Sequence, residues 1–162
     1  MHLKQAEILR GLDERFIAKM MEVSVESSYE PETVLFRQGD PARNFFVLVK
    51  GRIKLSIGDY KNSIYTVNHS GEAFGWSSLV GSHAYTASAK CVAPSTLKVF
   101  NRDHMEMILS GDPDSAVLFY KNLALTLGNR LNLINSQFAD HLSVNDKITY
   151  GTGQILEQAE QI

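Results

Sequence analysis

Gly75 is followed directly by Trp76-Ser77-Ser78, and a short loop later the chain reads Tyr85-Thr86-Ala87, so aromatic rings and hydroxyls gather in a region of short extended segments. Tyr65 and Thr66 lie on the segment just before. Residues of these types suit binding: rings supply apolar area and a few hydroxyls fix a ligand's orientation. They are poorly arranged for catalysis. The Ser77-Ser78 pair has no histidine in a recognisable nucleophile arrangement. His2, His69, His83, His104 and His141 are scattered, with no His-x-His and no carboxylate at ligand spacing. Neither an enzyme nor a metal site is expected.

These residues need a scaffold, and the apolar periodicity describes one. Between about Val23 and Arg102 the pattern repeats every two residues. Arg52-Ile53-Lys54-Leu55-Ser56-Ile57 alternates as a half-buried antiparallel strand does. Gly58-Asp59-Tyr60-Lys61-Asn62 supplies turn chemistry and Ile64-Tyr65-Thr66-Val67 resumes the extended pattern, which predicts a hairpin. Ala87, Ala89 and Cys91 are expected to face one way, with Thr86, Ser88 and Lys90 facing the other. Leu97-Lys98-Val99 alternates again. Short strands separated by Gly, Asn, Asp and Pro predict an antiparallel sandwich or roll.

Helical periods flank this region. Asp13 stands as an N-cap before Phe16, Ile17, Met20 and Met21, which predicts a short amphipathic helix. Asn101 is placed to cap a second over Met105 to Leu109. Gly111-Asp112-Pro113 ends that helix and starts a longer one, with Asp112 as cap and Pro113 in the first turn. Along the long helix, Ala116, Tyr120, Leu123, Leu127, Leu131, Ile134 and Phe138 follow close to a heptad seam, and Leu118, Leu125 and Leu133 form a second apolar line. A helix apolar on two faces needs two surfaces, so one line is expected to cover the roll and the other to meet a second copy in a homodimer. The fold class expected is therefore α+β, divided as a helical segment (1–22), a β-roll (23–110), a long C-terminal helix (111–140) and a tail (141–162).

As a set, the leading helix, Phe36-x-x-Gly39-Asp40-Pro41, Phe45-Phe46-Val47-Leu48-Val49-Lys50-Gly51, Gly71-x-x-Phe74-Gly75, Leu79, Thr86-Ala87 and the long helix resemble the cyclic-nucleotide-binding domain of the catabolite-activator and FNR-type regulators. The resemblance covers Leu12 to about Asn145. It implies a jelly-roll-like β-roll, a regulatory role without catalysis, and a phosphate-binding cassette in the turn after Phe74-Gly75. In that family a cassette glutamate holds the ribose hydroxyl and an arginine neutralises the phosphate. By residue-by-residue matching, Trp76 stands at the glutamate position and Tyr85 at the arginine position, while Gly75, Thr86 and Ala87 keep the pattern.

Losing a charge-assisted arginine–phosphate pair, worth roughly 1.5–3 kcal/mol, should weaken binding about tenfold to 150-fold. The resemblance thus implies a degenerate cassette. Three readings stay open at this point: a sensor of another small effector lined by Tyr65, Thr66, Trp76, Ser77, Ser78, Tyr85 and Thr86, a cyclic AMP or cyclic GMP receptor with atypical contacts, and a ligand-free dimeric scaffold. His83 could bring a titratable positive charge to the cassette. Matching of the long helix puts Asn135 near the contact that closes over a bound base.

The formal charge of −2 over 162 residues gives no basic field to gather nucleic acid. The single cysteine, Cys91, excludes an internal disulfide and fits a reducing compartment, so a cytoplasmic location is expected. A regulator of this family would continue into a winged helix-turn-helix. Here Val144-Asn145-Asp146-Lys147-Ile148 resembles a hinge, Gly151-Thr152-Gly153 interrupts it, and residues 154–162 are a short polar helix candidate. DNA reading by this segment is not expected.

Overall fold

The computed structural model describes residues 6–58, 63–81, 83–139, 147–150 and 154–157. The chain falls into two compact units, Met1–Leu127 and Gly128–Ile162.

The first unit is an antiparallel β-roll with a helical layer. After a 3-10 turn at Glu7–Leu9 comes α1 (Glu14–Val23), whose Asp13 side chain accepts the Arg15 amide, as the capping pattern predicts. Strands β1 (Ser24–Tyr29), β2 (Val34–Phe36), β3 (Asn44–Lys50), β4 (Ile53–Ser56), β5 (Ser63–Val67), β6 (Ala73–Phe74), β7 (Ser88–Cys91) and β8 (Ser95–Asn101) follow. They form two four-stranded sheets, β1-β8-β3-β6 and β2-β7-β4-β5. The predicted hairpin is β4–β5, in the register Ile53↔Val67 to Leu55↔Tyr65. Residues 59–62 of its turn lie outside the described residues.

Strand β3 reads as a continuous apolar run because both its faces are covered. Phe46 and Leu48 join Phe36, Ile53, Leu55, Val67, Phe74, Ala89, Cys91 and Leu97 in a core drawn from both sheets. Phe45 and Val47 point the other way, into a core shared with Phe16, Met20, Met105, Leu109, Phe119 and Leu123 of the helical layer. On β7, Ala89 and Cys91 are buried in the core between the sheets; Ser88 is buried too, and its hydroxyl accepts the Gln38 amide at 2.9 Å.

Helix α2 (Arg102–Gly111) is capped by Asn101, whose side-chain oxygen accepts the amides of Asp103 and His104 at 2.9 and 3.3 Å. Helix α3 (Pro113–Ala139) begins where Asp112 accepts the Ser115 amide and hydroxyl at 3.1 and 2.8 Å. Its inward line is offset from the predicted seam. Phe119, fully buried, and Leu123 carry the packing, supported by Ala116, Leu118 and Leu127. Tyr120 and Leu131, predicted on the same line as Ala116 and Leu123, are instead exposed. Leu118, predicted to share a line with Leu125 and Leu133, packs on the core while those two are exposed. The sequence reading merged two neighbouring stripes, since residues one position apart differ by only about 100° around a helix.

The second unit contains the C-terminal part of α3 from Gly128 and a two-stranded antiparallel sheet of β9 (Lys147–Tyr150) and β10 (Gln154–Glu157). The helix expected over residues 154–162 is thereby overturned at 154–157, which pair in register with β9. The pairing supplies backbone partners that a short helix of low propensity would have to find internally. Residues 144–146, 151–153 and 158–162 of the expected hinge and tail lie outside the described residues.

Candidate functional site

The turn expected to form the cassette follows directly on β6. Gly75 adopts the left-handed conformation (φ 76°, ψ 24°) and caps the 3-10 turn Trp76–Ser78. A Cβ at Gly75 would lie 2.9 Å from the Phe46 ring and 3.1 Å from the Asn44 carbonyl oxygen, so both conformation and space call for glycine. The Ser78 amide and hydroxyl both donate to the Gly75 carbonyl, at 3.1 and 2.9 Å. Ser77 and Ser78 are buried; the Ser78 hydroxyl is spent on holding the turn.

Trp76 and Tyr85 go to different cores. Trp76 is half-buried against the helical layer. Tyr85 is 5% exposed and belongs to the core between the sheets. Its ring stacks on Phe36 with centroids 3.7 Å apart and planes 12° from parallel. Its hydroxyl donates to the Asn44 carbonyl at 2.8 Å and accepts from the Asn44 amide at 3.1 Å. Burial pushes the phenol's pKa above its ordinary value, with the backbone hydrogen bond at Asn44 pulling the other way.

The remaining candidate residues are spread. The Tyr65 hydroxyl donates to Glu72 Oε1 at 2.6 Å, and Glu72 Oε2 accepts the amides of Asn68 and His69, so this carboxylate organises the turn from β5 to β6. Thr66 and Thr86 are exposed and Ala87 is half-buried. His83 is exposed with a positive φ of 57°, and its carbonyl accepts the Ala42 amide at 2.6 Å. Asn135 is exposed on the part of α3 that belongs to the second unit. Thus the structure brings Gly75 and Tyr85 together around Asn44, a residue that the sequence reading missed. Asn44 gives no compositional signal, because its backbone rather than its side chain makes these contacts.

An apolar groove of about 620 Å³ runs between α2 and α3, lined by Leu109, Pro113, Ala116, Val117, Tyr120 and Ala124. A smaller polar cleft of about 310 Å³ is lined by Pro41, Arg43, Asn101, Arg102 and Asp103. Among the described residues, no three of His, Cys, Asp and Glu are grouped to hold a metal ion. No helix among them is long and apolar enough to cross a membrane.

The sequence model of the cyclic nucleotide-binding domain matches residues 26–112, spanning the roll and α2. The chain belongs to the cyclic nucleotide-binding domain family. Its fold is similar to that of a putative cyclic nucleotide-binding protein from Geobacter metallireducens, with a TM-score of 0.71 and 21% identity over 81% of this chain and 98% of that one. The sensor domain of the transcriptional regulator DNR from Pseudomonas aeruginosa is similar at a TM-score of 0.63 and 21% identity, over 80% of this chain and 86% of that one. So is the c-di-GMP-responsive global regulator CLP of Xanthomonas campestris, at a TM-score of 0.65 and 21% identity, covering 83% of this chain and 66% of that one. The long helix and the roll expected from the sequence are those of this fold.

Proposed function

We propose that this chain is a non-catalytic regulatory module that works as a homodimer, with a cassette that does not take a cyclic nucleotide in the ordinary way. The observation that carries the reading is the exposed seam of α3. Val117, Tyr120 and Ala124 follow at steps of three and four on the part of α3 in the first unit, and Leu131, Ile134 and Phe138 repeat those steps on the part in the second. Val117, Leu131 and Phe138 are each 57% exposed although the helix's own core contacts are made by Phe119 and Leu123. The apolar groove beside Val117 and Tyr120 offers a place for a partner's side chains.

Trp76 and Tyr85 support the ligand half of the reading, since neither can neutralise a phosphate and Tyr85 is committed to Phe36 and Asn44. Relatives of this fold answer to different signals, CLP being c-di-GMP-responsive. A state change at the cassette would reach a partner protein through the paired helices, in a cytoplasmic setting that suits the buried thiol of Cys91.

Sedimentation equilibrium tests the dimer. Wild type should sediment as two copies and the double variant Val117→Asp/Leu131→Asp as one; a monomeric wild type refutes it. A thermal-shift panel of cyclic AMP, cyclic GMP, cyclic dinucleotides and apolar metabolites tests the ligand. A true ligand at a hundred times its Kd stabilises by about 2.7 kcal/mol. A shift with cyclic AMP at micromolar concentration would favour the second reading, a cyclic nucleotide receptor, which the retained left-handed Gly75 turn supports.

A further inference from the structure

Strand β6 covers β3 only briefly. Its pairs are Phe46↔Phe74 and Val47↔Ala73, and the loop before it adds the Leu48 amide to the Glu72 carbonyl and the Gly71 amide to the Leu48 carbonyl. On this edge the even-numbered residues of β3 present their backbone groups, so the next open position is Asn44. The opposite edge is already taken there, since the Arg43 carbonyl accepts the Arg102 amide at 2.8 Å. At Gly75 the chain turns away, and a backbone donor and acceptor would be left open at Asn44. The Tyr85 hydroxyl fills both, donating at 2.8 Å and accepting at 3.1 Å, as a residue of a paired strand would with its amide and carbonyl.

Tyr85 is itself held by its own backbone. Its amide donates to the Asp40 carbonyl at 2.9 Å and its carbonyl accepts the Gly39 amide at 2.8 Å, while Ala84 bridges Pro41. Both ends of the cassette therefore converge on one peptide: Gly75 packs against the Asn44 carbonyl and Tyr85 bonds to it.

We infer that the Tyr85 hydroxyl is a built-in ligand, a latch that occupies Asn44 and holds the cassette closed with no effector bound. The inference rests on the reading of this segment as the regulatory site, and it makes the resting state of that site independent of a small molecule. The latch couples the β6 end of the cassette to the loop between β2 and β3. Opening it requires breaking two hydrogen bonds at once, while the Phe36 stack keeps the ring in place for reclosure.

Native-state hydrogen exchange tests the latch on the full chain. In wild type the Asn44 amide should exchange as slowly as the Leu48 amide of the same edge. In Tyr85→Phe, which keeps the ring, Asn44 and residues 76–81 should exchange at least about tenfold faster while β4 and β7 keep their protection. Equal acceleration throughout the roll would reduce Tyr85 to a core filler and overturn the proposal. An Asn44 amide that is fast in wild type would overturn it without any variant. Sedimentation of Tyr85→Phe separates the two ideas: a dimer with a fast cassette sustains the latch, and loss of the dimer with an unchanged cassette refutes it.

Discussion

Gly75→Ala offers a quantitative check on the cassette's geometry. The substitution places a Cβ on a residue at φ 76°, which costs an L-residue about 1–2 kcal/mol. That Cβ also meets Phe46 at 2.9 Å and the Asn44 oxygen at 3.1 Å. Neither neighbour moves freely. Phe46 is stacked between Phe36 and Phe74, at centroid distances of 5.6 and 5.1 Å, and the Asn44 oxygen is fixed by Tyr85. Overpacking of this kind costs about 1–3 kcal/mol more. Gly39→Ala is the control: φ is 87°, and a Cβ there has nothing within 4 Å. The entropy that alanine removes from the unfolded chain is common to both, so the difference isolates the contact. Urea unfolding should show Gly75→Ala about 1–3 kcal/mol less stable than Gly39→Ala. Equal losses would refute the close packing of the cassette on β3.

Other outcomes follow from the helical layer and from the titrating groups. Asn101→Ala should cost about 1 kcal/mol in chemical unfolding, because the amides of Asp103 and His104 lose their acceptor. Phe119→Ala should cost about 3–5 kcal/mol, since the ring is fully buried against Phe45. The hydrogen bonds from Ser115 hold the Asp112 carboxyl below the usual carboxylate value. Ionised Asp112 thus favours folding above its unfolded value, and that contribution fades as pH falls through the folded one; Ser115→Ala should flatten this acid limb in a pH series of unfolding curves. Tyr85 has the opposite sense: its raised value means stability present below the unfolded phenol's pKa and lost as pH rises through the folded one, a loss absent in Tyr85→Phe.

The parts of this fold that depend on local chemistry were readable in the chain. Asp13, Asn101 and Asp112 all cap helices as their side chains dictate, and β4–β5 pair where the alternation lies. The inward stripe of α3 was harder to read, because apolar residues surround much of that helix and only the packing partner decides between adjacent stripes. Phe119 rather than Tyr120 wins because Phe45 and the helical core face it. The candidate site was legible as a segment but not as an arrangement. Trp76 and Tyr85 look equivalent in sequence, yet one joins the helical layer and the other the interior of the roll. The role of Asn44 depends on where β6 stops, a long-range property that no window around residue 44 contains. The β9–β10 pairing was missed for a related reason, since it too depends on a partner segment rather than on the residues of one window.

Cys91 lies at 0% exposure at the C-terminal end of β7, and burial raises its thiol pKa, so it is both shielded and poorly ionised while the roll is intact. With one cysteine in the chain, a thiol reagent has a single target. Its labelling rate is therefore an intrinsic clock for the separation of the two sheets, readable in any variant without adding a dye or a tag.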